Sequence, residues 1–108
     1  NEFAVTRRIP LFHGAVWGLE GRATTVLPGR TPCLRCLYGE PPRRAGTFPV
    51  VGVAPALVAA IQVTEAIKHF TGIGQMLAGE LLVYDGASMQ FLRARVERRP
   101  DCPVCGRV

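Results

Sequence analysis

The sequence of 108 residues predicts an α+β domain, four or five mostly antiparallel strands around one long buried helix. Three observations carry this. Runs of β-branched and apolar residues broken by glycine occupy both ends of the chain, and a stretch of helical apolar period occupies the middle. Two C-x-x-C pairs bracket most of what lies between. With 48% hydrophobic and 19% charged residues the chain can build a core, which excludes intrinsic disorder. No apolar run reaches the roughly 20 residues that cross a bilayer, so no membrane partner is expected. The start, Asn1-Glu2-Phe3-Ala4-Val5-Thr6-Arg7-Arg8, has neither an initiator Met nor a basic-then-apolar signal layout. The expectation is a piece of a longer protein.

Residues 9–28 read as a hairpin. Two extended runs, 9–17 and 22–27, carry the β-branched Val16, Thr24, Thr25 and Val26 and are joined by Gly18-Leu19-Glu20-Gly21. Pro28-Gly29 turns the chain into the first cysteine pair. Residues 37–49 form a loop, since Pro41-Pro42-Arg43-Arg44-Ala45-Gly46-Thr47 has no apolar period and two adjacent prolines. The spacing predicts a helix over 55–71. Pro55 suits a first turn, Gly72 a C-terminal stop, and Ala56, Ala59, Ala60, Val63, Ala66, Ile67 and Phe70 make the buried face. Glu65, Lys68 and His69 mark its wetter side. The rest, 81–97, reads as two strands: 81–84, a turn at Asp85-Gly86, and an alternating run 89–96.

Cys33-Leu34-Arg35-Cys36 and Cys102-Pro103-Val104-Cys105 stand 65 residues apart, in knuckles at 31–37 and 101–106. Two residues between cysteines let both sulfurs meet one ion, and two such pairs complete the tetrahedral thiolate shell of structural zinc (Zn2+). Pro32 and Pro103 stiffen the turns, and Gly106 stands where a knuckle often needs positive φ. Iron held by four thiolates, a redox-active dithiol and disulfides are the alternatives. With all four ligands supplied by Cys33, Cys36, Cys102 and Cys105, the ion has no open position, so its role is in folding.

Net charge is +5, with twelve arginines against one lysine, Lys68. The arginines are scattered and no basic helix is visible. The aromatics Phe12, Trp17, Tyr84 and Phe91 fall in strands as core candidates, so nucleic acid is not the expected partner. Catalytic groups are scarce. His13, in an apolar strand, reads as a hydrogen-bonded core residue and His69 as a surface residue near a helix C-terminus. Ser88 is the only serine, and Gly72-Ile73-Gly74 follows a helix instead of opening one. No catalytic residue and no cofactor-binding residue other than the cysteines is assigned.

Several segments taken together resemble a known family: Ile9-Pro10-Leu11-x-His13-Gly14-Ala15-Val16, Gly18-x-x-Gly21, Thr31-Pro32-Cys33-x-x-Cys36, Gln62-x-x-Glu65-Ala66-Ile67-Lys68, Gly72-Ile73-Gly74, Leu81-Leu82-x-Tyr84-Asp85-Gly86 and Cys102-Pro103-Val104-Cys105-Gly106. The chain is similar to the C-terminal half of the ThiF/MoeB/HesA family, bacterial and archaeal relatives of the ubiquitin-activating enzymes. The resemblance covers essentially the whole chain. It implies part of an α/β, Rossmann-like domain whose sheet these strands extend, in a cytoplasmic homodimer. It also implies an adenylyltransferase, which joins the C-terminal carboxylate of a ubiquitin-like sulfur-carrier protein to the α-phosphate of MgATP and releases pyrophosphate. ATP and Mg2+ belong to the family's N-terminal half, so the resemblance places only the zinc ligands on this chain and implies that this piece is inactive alone. Many members carry one more cysteine in the loop after the first knuckle. Here 39–49 has none, with Ala45 or Thr47 in its place, which fits adenylation without a covalent enzyme intermediate. Arg43 and Arg44 of that loop are placed to meet an acidic carrier surface. The alternative is a non-catalytic zinc-binding scaffold or dimerisation module of a degenerate member. Whether the pathway served is molybdopterin, thiamine or another thio-transfer route is left open by the residues.

Overall fold

A computed structural model describes all residues except Pro42, Arg44 and Ala45. The expected α/β make-up is present: four antiparallel strands and one long helix. The strands are β1 (Leu11–Trp17), β2 (Glu20–Val26), β3 (Glu80–Asp85) and β4 (Gln90–Arg95), in the spatial order β1-β2-β3-β4. Two short helices unsignalled in the sequence, α1 (Glu2–Arg7) and α2 (Leu34–Tyr38), flank the first strand pair and the first cysteine pair. The long helix α3 (Val53–Thr71) joins β2 to β3 and ends at Gly72, whose φ of 73° is the left-handed turn that glycine accommodates.

β1 and β2 pair through their whole length, from Leu11 opposite Val26 to Trp17 opposite Glu20, around the two-residue connection Gly18-Leu19. β2 therefore starts two residues earlier than the expected 22–27. The register sorts the side chains onto two faces. Phe12, Gly14 and Val16 lie on one face with Gly21, Ala23 and Thr25, and α3 lies against that face. Leu11, His13, Ala15 and Trp17 share the other with Glu20, Arg22, Thr24 and Val26.

α3 approaches closely because β1 and β2 present glycine beneath it. A Cβ on Gly14 would stand 2.5 Å from Val58 Cγ1 and 2.6 Å from Gln62 Cδ, and one on Gly21 would stand 2.6 Å from Val58 Cγ2. The helix thus turns Ala54, Val58 and Glu65 inward, Glu65 being only 3% exposed. This inverts the expected sidedness. The Ala/Val/Phe stripe faces outward, with Val63, Ile67 and Phe70 exposed by 59%, 55% and 80%, while Glu65 and the half-buried Lys68 and His69 face the sheet. Trp17 and Phe91, expected in the core, are more than half exposed. No helix is long and apolar enough to cross a membrane among the described residues.

Candidate metal centre

On the face of β1 and β2 opposite α3, Val5 of α1 and Val26 of β2 pack with Cys33, Cys102 and Cys105 as a buried cluster, with Leu11, Leu34, Cys36, Val104 and Val108 around it. Each cysteine pair is closed by a backbone turn. In the first, Cys36 and Leu37 donate their N–H groups to the Cys33 carbonyl at 2.9 and 3.2 Å; in the second, Gly106 donates to the Cys102 carbonyl at 2.9 Å. Gly106 does not have the positive φ expected of it. It is glycine because a Cβ there would meet the Pro100 and Cys102 carbonyl oxygens at 2.5 and 2.6 Å.

All four cysteines are free thiols, and their sulfurs lie within 4.8 Å of one another. Cys33 Sγ is 3.7 Å from Cys102 Sγ, and Cys36 Sγ is 3.4 Å from Cys105 Sγ. A tetrahedral four-thiolate site with metal–sulfur bonds of about 2.3 Å has sulfur–sulfur edges of about 3.8 Å, so the donor set fits a single ion. Proton affinities point the same way. Burial pushes the Cys102 thiol up, but backbone N–H groups of Cys105 and Val104 and the neighbouring thiols outweigh it and bring it down to about 6. Cys105 is pushed up to about 12, by burial first and then by its contact with Cys36.

The other candidates lie elsewhere. His13 projects to the same face as the cysteines and lines an open cavity of about 1060 Å3 with Tyr38, Trp17 and Arg22. It is not the hydrogen-bonded core residue expected, because its Nε2 is buried with no partner. Burial lowers its pKa below the usual 6.5. His69 packs its ring 5.8 Å from that of Phe12. Glu65, expected at the surface, accepts hydrogen bonds from Thr25 Oγ1 (2.6 Å) and Leu77 N–H (2.7 Å) and pairs with Lys68. Gln62 donates to the Phe12 carbonyl at 2.9 Å. The Gln62-x-x-Glu65 spacing is thus the polar fastening of α3 to the sheet and to the segment leading into β3. Of the loop residues singled out from the sequence, Arg43 and Thr47 are exposed, while Arg44 and Ala45 lie outside the described residues.

A helix-backed antiparallel meander with a four-thiol cluster fastened under one end defines a cysteine-centre α/β chain. The chain belongs to the ThiF family, which matches residues 1–104. It is 47% identical over 112 aligned residues to the SAMP-activating enzyme E1 of Haloferax volcanii, covering 98% of this chain and 41% of that protein. It is 43% identical to the protein HesA of Leptolyngbya boryana (98% and 39%) and 40% identical to the sulfur carrier protein adenylyltransferase of Thermus thermophilus (98% and 43%). The chain therefore spans about two fifths of the length of these relatives. Among solved structures, E. coli MccB crystallised with ATP superposes with a TM-score of 0.81 at 17% identity, over 98% of this chain and 35% of that one. That likeness shows a shared fold.

Proposed function

We propose that this chain is the zinc-bearing C-terminal portion of an ATP-dependent adenylyltransferase that activates the C-terminal carboxylate of a ubiquitin-like sulfur-carrier protein. The observation that carries the reading is the ThiF match over residues 1–104 together with 40% identity to a sulfur carrier protein adenylyltransferase. In the activation step a carboxylate oxygen bonds to the α-phosphorus of ATP and pyrophosphate leaves, so two anions must be brought together. The chemistry of that step belongs to residues outside this chain. The residues here build the platform: Gln62 and Glu65 lock α3 to the sheet, and Cys33, Cys36, Cys102 and Cys105 tie its other face to the C-terminal segment. Zinc bound there would supply four metal–thiolate bonds and no open coordination position.

Self-association is part of the proposal. The outward stripe Ala56, Ala60, Val63, Ile67 and Phe70 of α3 repeats at alternating spacings of four and three, an exposed apolar seam. The same seam favours a second reading, a zinc-bearing dimerisation module with catalysis elsewhere.

ATP–pyrophosphate exchange by the natural full-length protein separates the two. The enzyme reading expects exchange only when a carrier with a free C-terminal carboxylate is added, and none with the amidated carrier. A zinc-bound, self-associated protein inert with every carrier tried would leave the module.

A further inference from the structure

We propose that Arg98 is the positioning residue of the four-cysteine centre: one guanidinium laid across three backbone carbonyls holds the two knuckles together and faces the charge of the loaded thiolates. The inference rests on the metal reading above and adds a residue that the cysteine pattern does not contain.

Equivalent cysteines of the two knuckles, Cys33 and Cys102, lie 69 positions apart in sequence. Apart from contacts of the sulfurs themselves, the hydrogen bond between the two segments, among the described residues, is that of Arg98. Its Nη1 donates to the Gly29 carbonyl at 3.3 Å, and its Nη2 donates to the carbonyls of Cys105 and Val108. Gly29 is a firm anchor. It sits in the turn where Arg30 and Thr31 donate to the Leu27 carbonyl at 2.9 and 3.0 Å, and Leu27 donates back to Thr31 Oγ1 at 2.8 Å. Two residues after Thr31 comes Cys33. On the other side, Cys105 is a ligand candidate, and its carbonyl also receives the Val108 N–H at 3.1 Å. A displacement of either knuckle would break a bond to the same planar group. A guanidinium can serve acceptors on two sides at once, whereas a lysine ammonium on its flexible stem acts as a point donor.

Charge points the same way. Arg22, Arg35, Arg93 and Arg99 each pair with a carboxylate. Arg98 is half-buried and has no aspartate or glutamate carboxylate within ion-pair distance among the described residues. Four thiolates around a divalent ion leave a formal charge of about −2, and these are the anions next to Arg98. Arg93 of β4 is exposed and pairs with Glu80 of β3, which makes it the internal control.

The test uses the natural full-length protein loaded with zinc, and with Co2+ as a spectroscopic probe. Zinc release to a chromophoric chelator is followed well below each variant's melting temperature. Arg98→Met is expected to release zinc at least about tenfold faster, the usual scale for residues that orient metal ligands, with Arg98→Lys in between and Arg93→Met unchanged. The thiolate-to-Co2+ charge-transfer bands should shift in Arg98→Met and stay in place in Arg93→Met. Release from Arg98→Met within twofold of the parent overturns the proposal. If that variant does not fold, Arg98→Lys decides, and a parent-like release rate overturns it equally. A parent protein that takes up neither zinc nor Co2+ removes the metal reading and this inference with it; bound metal released equally by all variants removes the role of Arg98 alone.

Discussion

Glu65 is a carboxylate with three partners and almost no exposure, so the cost of replacing it depends on what the replacement leaves unpaired. Glu65→Ala strands the Leu77 N–H and the Lys68 ammonium and should cost about 3 kcal/mol. Glu65→Gln keeps an acceptor for Leu77 and can meet the Thr25 hydroxyl, losing mainly the ion pair, and should cost about 1 kcal/mol. Urea denaturation of both variants checks this, and equal costs would mean that the hydrogen bonds carry nothing. His13 makes a pH prediction. Its folded pKa is depressed by burial, so below the usual 6.5 the unfolded chain binds a proton that the folded chain does not. Stability therefore falls as pH drops from 6.5 toward the folded value, and the His13→Phe variant should lose this part of the fall in its own stability curve. The residue scale also shows what a sequence can announce. The cysteines were legible because C-x-x-C is a local pattern with one geometric purpose. Glu65 and Arg98 were not, because what they bind is a Leu77 amide, a Thr25 hydroxyl and the carbonyls of Gly29, Cys105 and Val108, and nothing in the spacing marks these as partners.

α3 was legible in existence and length but not in orientation. Its composition is apolar on nearly every side, so the 3.6-residue period selects no face, and the outward stripe reads as strongly as an inward one. What decides is the sheet. Gly14 and Gly21 leave a shallow floor into which Val58 descends, and Gln62 and Glu65 then find acceptors and donors beneath the helix. The strands were more legible, since alternation and turn glycines act within a few residues. The short helices α1 and α2 left no periodic trace, being only 6 and 5 residues long. Two predictions belong to this scale. Gly14→Val puts its Cβ against Val58 and Gln62 and adds two methyls, which should lift α3 and cost about 2 kcal/mol or more, read as a lower urea midpoint. Val63→Glu with Ile67→Lys alters only outward positions. It should leave the circular dichroism spectrum intact and shift sedimentation toward the monomer; an unchanged distribution would place self-association elsewhere.

The molecule is a slab, 38 × 36 × 21 Å, with a radius of gyration of 14.1 Å where a compact domain of this length has about 13 Å. A slab this thin has two half-cores. Ala54, Val58, Ala23 and Leu77 fill the α3 side, and Val5, Val26 and the cysteines fill the other. On the cysteine side the fully buried apolar side chains are small, Val5 and Val26 beside the cysteines, so a metal bound by the four thiols as proposed would add to the packing there. Removing the metal should then act unevenly. A chelator at neutral pH is expected to lower the melting temperature and to open the amides of 27–38 and 99–108 to hydrogen exchange, because Cys36, Leu37 and Gly106 keep their bonds only while the sulfurs are held. The β1–β2 pairing under α3 has its own fastening in Gln62 and Glu65, and its amides should stay protected longer. Uniform loss of protection across both faces would mean that the two half-cores melt as one unit. Protection unchanged at Cys36, Leu37 and Gly106 would mean that the cluster holds its geometry without an ion, and the folding role assigned to the metal would fall.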